Sequence, residues 1–205
     1  MTQDRLILHP RVEIQKRETV YQGYFHLDRY HLRHQRHNGD WTEVFTREVF
    51  ERGHAAGVLL YDPVQDKVAL IEQYRVGAQA AGWEPWLYEV VAGIIDEGET
   101  PEIVARREAV EEAGCPLSDL IPIIHYLVTP GGSSESVALY CALVDSSNLG
   151  GTHGLEAEHE DIQVHVMSSD EAIGLLSNPR AANSMLIISL QWLALNRDRL
   201  RAASA

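Results

Sequence analysis

GIIDEGETPEIVARREAVEEAGC, residues 93–115, reads as a glycine-bearing loop running into a helix. Thr100 is a good N-cap. Pro101 suits the first helical position, where a missing N–H costs nothing, and Glu102 complements the positive helix end. Gly114 is a natural terminator. These signals predict a helix over 100–113. At about 100° per residue, Glu108, Glu111 and Glu112 share an arc of roughly 100°. Ala105, Ala109, Ala113, Val110 and Ile103 fall on the other side, which is expected to pack. Arg106 lies within that apolar arc and needs a partner, and Arg107 at its border can reach Glu111. Glutamate-rich faces are ordinarily solvated. This one has no lysines to balance it, and carboxylates beside a glycine loop are what a hard divalent cation needs.

Working outward, 54–61 (HAAGVLLY) reads as a buried strand closed by Asp62-Pro63, and 67–75 (KVALIEQYR) as a second. Residues 86–91 lead into the glycine loop. Further strands are expected over 121–128, 136–144 and 162–167, and helices over 169–176 and 183–201. Strands and helices interleave without strict alternation, so the fold class is α/β, a mixed sheet with helices against it. Residues 1–51 form a separate region, with short strand-like pieces at 12–14, 19–21, 25–30 and 42–45 and a hairpin turn at Asn38-Gly39-Asp40. That region is too short and polar to bury a core alone. It is expected to pack on residues 52–205 or on a second copy.

The 205 residues make one ordinary domain plus some extra, and 45% hydrophobic with 23% charged residues excludes disorder as the main state. No run of about 18 apolar residues is present, and the N-terminus lacks the apolar core of a signal peptide. Two cysteines, Cys115 and Cys141, are too few for a disulfide scaffold or a zinc cluster. These features point to the cytoplasm. The net charge of −13 argues against nucleic acid and anionic membranes as partners. A small anionic substrate would need convergent arginines or a bound cation. The ten histidines are scattered and read as surface or supporting groups.

The string 93–115 resembles the Nudix box. Gly93, Glu99, Arg107, Glu108, Glu111, Glu112 and Gly114 fill its fixed positions, and chance agreement is about one in a million at average residue usage. Ala109 and Cys115 depart mildly at two aliphatic positions that carry no chemistry. The resemblance implies a Nudix fold, an α/β/α sandwich, that hydrolyses a nucleoside diphosphate linked to another moiety. It implies Mg²⁺ or Mn²⁺ held by Glu108 and Glu112, with Glu111 assisting and the Ala92 carbonyl adding a ligand. Arg107 and Glu99 would be structural.

Other segments resemble the bacterial ADP-ribose pyrophosphatase group of that family: 17–34, 47–63, 70–78, 153–167 and 190–193, with Pro130 in LVTPGGSSE (127–135) fifteen residues past Cys115. This likeness implies a homodimer with the N-terminal β region exchanged. It implies that Arg47 and Arg75 hold phosphate or terminal ribose with Arg52 assisting, and that Tyr24 and Phe25 contact adenine. Glu135 would bind a ribose hydroxyl, while Glu48, Ile94, Thr129, Pro130 and Gly131 line the substrate. In the acidic loop LEAEHED (155–161), Glu158 would be the general base and Glu160 a metal contact, with an exchange of roles open. The implied reaction cleaves ADP-ribose to AMP and ribose 5-phosphate. Alternatives are another nucleoside diphosphate sugar such as GDP-mannose, or a non-catalytic ADP-ribose-binding module, for which a complete box would be unneeded.

Overall fold

The computed structural model describes residues 9–204, except the side chain of Glu158. The chain forms two compact units. One takes the chain up to Gly53 together with Leu127–Glu135; the other takes His54–Tyr126 with Ser136 onward.

The smaller unit is an antiparallel sheet ordered β1 (Val12–Gln22), β2 (His26–His34), β3 (Phe45–Glu51). The pieces expected at 12–14 and 19–21 are one strand, interrupted by register shifts between Ile14 and Lys16 and between Thr19 and Tyr21. Cross-strand polar pairs support it where apolar alternation fails: Arg33 Nε lies 2.7 Å from Glu13 and His31 Nε2 3.0 Å from Glu18. Of the strand expected at 42–45 only Phe45 is strand, opening β3; residues 42–44 are loop, because Thr42 closes the preceding turn by bonding both the N–H and the carbonyl of His34. That turn places Gly39 at φ +94°. Among the described residues of this unit only Asp28, Tyr30, Ser133 and Glu135 are buried, so its interior is polar rather than an apolar core.

The larger unit runs β4 (Ala55–Asp62), β5 (Lys67–Tyr74), α1 (Val76–Ala80), β6 (Trp86–Glu89), β7 (Val91–Ile94), α2 (Pro101–Ala113), β8 (Ile121–Leu127), β9 (Ser136–Leu143), β10 (Gly151–His153), β11 (Ile162–Ser168), α3 (Ser169–Gly174) and α4 (Ser184–Ala203). The sheet order is β10-β11-β5-β4-β9-β8, with β6 on β5 and β7 on β4. β4 pairs parallel with β9 and antiparallel with β5 and β7, so the sheet is mixed. Every residue of β4 is buried. Alternate side chains face opposite ways: Ala56, Val58 and Leu60 pack with Val104, Ala105 and Ala109 of α2, while Leu59 and Tyr61 pack with Leu186, Leu190 and Leu193 of α4. Helices on both faces make the α/β/α sandwich expected. Among the described residues no helix is long and apolar enough to cross a membrane.

The caps of α2 match expectation: Thr100 accepts the Ile103 N–H, and Gly114 takes φ +61°. Its packed face matches in part: Ala105, Ala109 and Ala113 are buried as expected, but Ile103 and Val110 are each 51% exposed and Val104 and Glu112 are buried. The helix turns the Glu112 carboxylate inward. Arg106 finds its partners in the carbonyls of Leu117 and Ser118.

Candidate active site

The site is built by α2 against β7. Glu112 is 3% exposed, and its Oε2 accepts the Ala92 N–H at 3.0 Å. The next residue, Gly93, leaves room for a side chain: a Cβ there would lie 1.7 Å from Glu108 Oε1. Glycine alone lets the helix carboxylate approach so closely. Arg107 Nη1 donates to Glu108 Oε1 at 2.8 Å and to Glu111 Oε2 at 3.1 Å. The same guanidinium reaches Glu99 from Nε at 3.2 Å and Nη2 at 3.3 Å, and Glu99 Oε2 accepts the Asp96 N–H at 3.1 Å. Arg107 therefore ties the loop to the helix, with Glu99 as anchor.

Burial pushes the Glu112 carboxyl well above the usual range; Glu108 and Glu160 push it further, while the Ala92 N–H and Arg75 oppose them. Glu108 is raised too, by burial first, then by Glu111 and Glu160 against Arg107. These are oxygen donors whose joint ionisation needs a nearby cation. Among the described residues no three His, Cys, Asp or Glu side chains already stand as a ligating cluster. Glu108 and Glu111 share Arg107 instead.

Arg75 follows β5. Its Nε lies 3.1 and 3.0 Å from the two Glu89 oxygens, and its Nη2 lies 2.7 Å from Glu89 Oε2. Burial works against its charge, but Glu89, and after it Glu112 and Glu160, raise its pKa. The acidic loop is rooted on α2. Gly154 N–H donates to the Glu111 carbonyl at 3.3 Å, and His153 Cε1 lies 3.0 Å from where a Cβ on Gly114 would sit. Gly154 has φ +105°, and a Cβ there would be 2.7 Å from Glu160 Cβ. Glu160 Oε2 accepts the Leu155 N–H at 3.1 Å. Glu160 thus lies within electrostatic reach of Glu108, Glu112 and Arg75, whereas Glu156 and Asp161 are exposed. The side chain of Glu158, expected as the base, lies outside the described residues.

A second set of the expected residues belongs to the smaller unit. The Phe25 ring stands edge-on to Tyr24 at 4.7 Å and to Phe50 at 5.3 Å. The Arg52 guanidinium lies 5.3 Å from the Phe25 centroid and its Nη1 3.1 Å from Glu135 Oε1. Arg52 Nε is buried without a hydrogen-bond partner among the described residues. Arg47 instead covers Phe45 at 4.6 Å, and Glu48 pairs with Arg29 at 2.8 Å. Thr129, Pro130 and Gly131 are exposed in a turn where the Thr129 carbonyl accepts the Gly132 and Ser133 N–H groups. In the larger unit, Ile94 pairs with Ala55 at the end of β7.

A family model described as the NUDIX domain matches residues 51–187. The chain belongs to the NUDIX domain family. It is 47% identical over 190 residues to the ADP-ribose pyrophosphatase of Escherichia coli (strain K12), covering 93% of this chain and 91% of that one. It is 39% identical over 193 residues to the ADP-ribose pyrophosphatase of Haemophilus influenzae, covering 93% and 89%. The GDP-mannose pyrophosphatase of Pectobacterium atrosepticum is 31% identical over 181 residues, covering 88% and 92%. A crystal structure of an ADP compounds hydrolase shares the fold at TM-score 0.66 and 23% identity, covering 91% of this chain and 96% of that one.

Sequence reading passes over three neighbours of the expected residues. In the larger unit Glu89 pairs with Arg75 and accepts Gln73 Nε2, and in the smaller unit Phe50 adjoins Phe25. Period-two alternation puts Gln73 and Arg75 on one face, and the β5–β6 pairing of Ile71 with Glu89 puts Glu89 on the same face. The signal existed, but reading it needed the register of β6, which a four-residue strand does not announce.

Proposed function

We propose that this protein hydrolyses the diphosphate bond of ADP-ribose, giving AMP and ribose 5-phosphate, with Mg²⁺ or Mn²⁺ as cofactor. The observation that carries the reading is the placement of two α2 carboxylates, the buried Glu112 and the partly buried Glu108, against Ala92 and Gly93. Similarity along nearly the whole chain to two ADP-ribose pyrophosphatases supports the substrate, and the lower identity to a GDP-mannose pyrophosphatase disfavours the nearest alternative.

The residues fit a hard divalent cation, since the donors are oxygens and burial disfavours their unpaired charge. Glu108, Glu111 and Glu112 would hold it, with the Ala92 carbonyl and Glu160. When bound it would neutralise diphosphate oxygens and ease deprotonation of water. Glu158 takes the proton of the attacking water onto a carboxylate oxygen, a role assigned from sequence alone. Arg47 and Arg75 bind anionic groups of the substrate and Arg52 assists them. Tyr24 and Phe25 face the adenine, and Glu135 accepts a ribose hydroxyl. Glu48, Ile94, Thr129, Pro130 and Gly131 border the substrate.

The protein is further proposed to be a cytoplasmic homodimer that exchanges its N-terminal β region. The apolar side chains of Val12, Ile14, Val20 and Tyr21 are exposed on β1, and both cysteines are free and buried. A panel of nucleoside diphosphate sugars with Mg²⁺ tests the function. Release of AMP from ADP-ribose well ahead of GMP from GDP-mannose is expected; preference for GDP-mannose, or full turnover in excess EDTA, refutes it.

A further inference from the structure

Arg75 and Arg107 both lie among glutamates, but their guanidinium groups are used differently. Arg107 commits Nε, Nη1 and Nη2 to Glu99, Glu108 and Glu111. Arg75 commits only Nε and Nη2, both to Glu89. A planar guanidinium offers one bidentate edge along Nε and Nη2 and another along Nη1 and Nη2. Glu89 occupies the first. Among the described residues nothing takes Nη1, so the outer edge is available to an anion.

Glu89 is itself fixed. It lies in β6, paired with β5 through Ile71, and its Oε2 also accepts Gln73 Nε2 at 3.2 Å. Gln73 is buried, and the Glu89 side chain is 13% exposed. The backbone of Arg75 is held separately, its N–H donating to the Pro85 carbonyl at 2.8 Å. Stem and head of the arginine are therefore located by different segments. An arginine free at its head would surrender more rotamer entropy on meeting a ligand than one already held.

We propose that Glu89 is the positioning residue for Arg75, presenting the Nη1 edge of the guanidinium to the anionic groups of a nucleoside diphosphate substrate. This rests on the hydrolase reading above. Glu89 touches no reacting atom and acts through Arg75 alone, so the two residues form a coupled unit.

The test is a double-mutant cycle with Glu89→Gln and Arg75→Ala, read on ADP-ribose. Glu89→Gln is expected to raise KM about tenfold, with kcat within about threefold, the scale of removing one charge-assisted hydrogen bond from binding. In the Arg75→Ala background Glu89→Gln should add nothing. A merely structural Glu89 would lower the melting temperature and multiply its effect with that of Arg75→Ala. Unchanged or lowered KM in Glu89→Gln, or multiplying effects, overturns the proposal. If Glu89→Gln does not fold, Arg75→Lys, which keeps the charge and removes the fork, must raise KM comparably; wild-type KM there overturns it. Wild-type turnover of ADP-ribose judges the hydrolase reading separately. Were it absent, the same cycle is read by calorimetry with ADP as the probe, where equal affinities across the variants refute the positioning role.

Discussion

Acids crowd two places in the larger unit, α2 and the loop after β10, and the two places treat them oppositely. On α2 Glu108 and Glu112 meet β7 at Gly93 and Ala92, and burial with mutual repulsion raises both. Among the described side chains of the loop, Glu156 and Asp161 face water and Glu160 turns back onto the Leu155 N–H. Composition does not separate the two segments; the backbone each one meets does. Opposite α2 stand the Ala92 N–H and a glycine with space for a carboxylate. The loop meets chiefly its own turn. Buried acids suit a permanent cation site, and exposed acids suit proton exchange with solvent.

Removing one helix acid is the strongest way to break this contrast. Glu112→Gln should cut kcat by on the order of 10²–10³, the range for loss of one buried electrostatic element, while the fold survives. Full activity in that variant would mean that the inward face is only packing. The loop offers the next test. Glu158→Gln should lower kcat by about 10² with little change in KM, as expected for a general base. A rise in KM alone would make it a binding residue and pass the base to Glu160.

The smallest effect sharpens the comparison through pH. With divalent ions chelated, folded Glu112 keeps its proton above the ordinary value of 4.5 because burial disfavours the charge. The folded state then binds more protons than the unfolded chain, so stability should fall as pH rises above 4.5. Glu108 is raised as well and contributes with the same sign. Thermal unfolding from about pH 5 to pH 8 should show a shallower decline for Glu112→Gln than for wild type. Parallel curves would contradict the electrostatic account.

The limits of α2, its two caps and its carboxylate arc are legible in the sequence because capping chemistry is local. Which face packs is legible only in part. A helical wheel assigns burial by hydrophobicity; Ala105, Ala109 and Ala113 are buried as it expects, but Glu112 is buried while Ile103 and Val110 are exposed. Local stereochemistry does not encode what the opposite strand has vacated at Gly93. A mixed sheet with helices against it is readable from the interleaved strands and helices; the two-sided sandwich is what the Nudix resemblance implies, and β4, buried along its length, agrees with it, since a strand buried on both faces needs cover on both. β1 reads as two pieces because its middle is held by polar cross-strand pairs, Arg17 with Asp28 and Glu18 with His31, rather than by alternating apolar residues. The pairing of Arg75 with Glu89 is illegible because it joins β6 to the segment after β5 across a turn.

The hydrogen bond between Gly154 and Glu111 reaches further than its own two groups. It registers the loop to the last turn of the helix whose acids it complements, with His153 seated beside the terminating glycine. Displacement of that helix end becomes a common-mode error: both sets of carboxylates travel together, and the spacing between them is preserved. Differential errors, which do alter that spacing, can enter through the backbone at Gly154. A residue that carries no charge therefore shares in fixing where the acids stand.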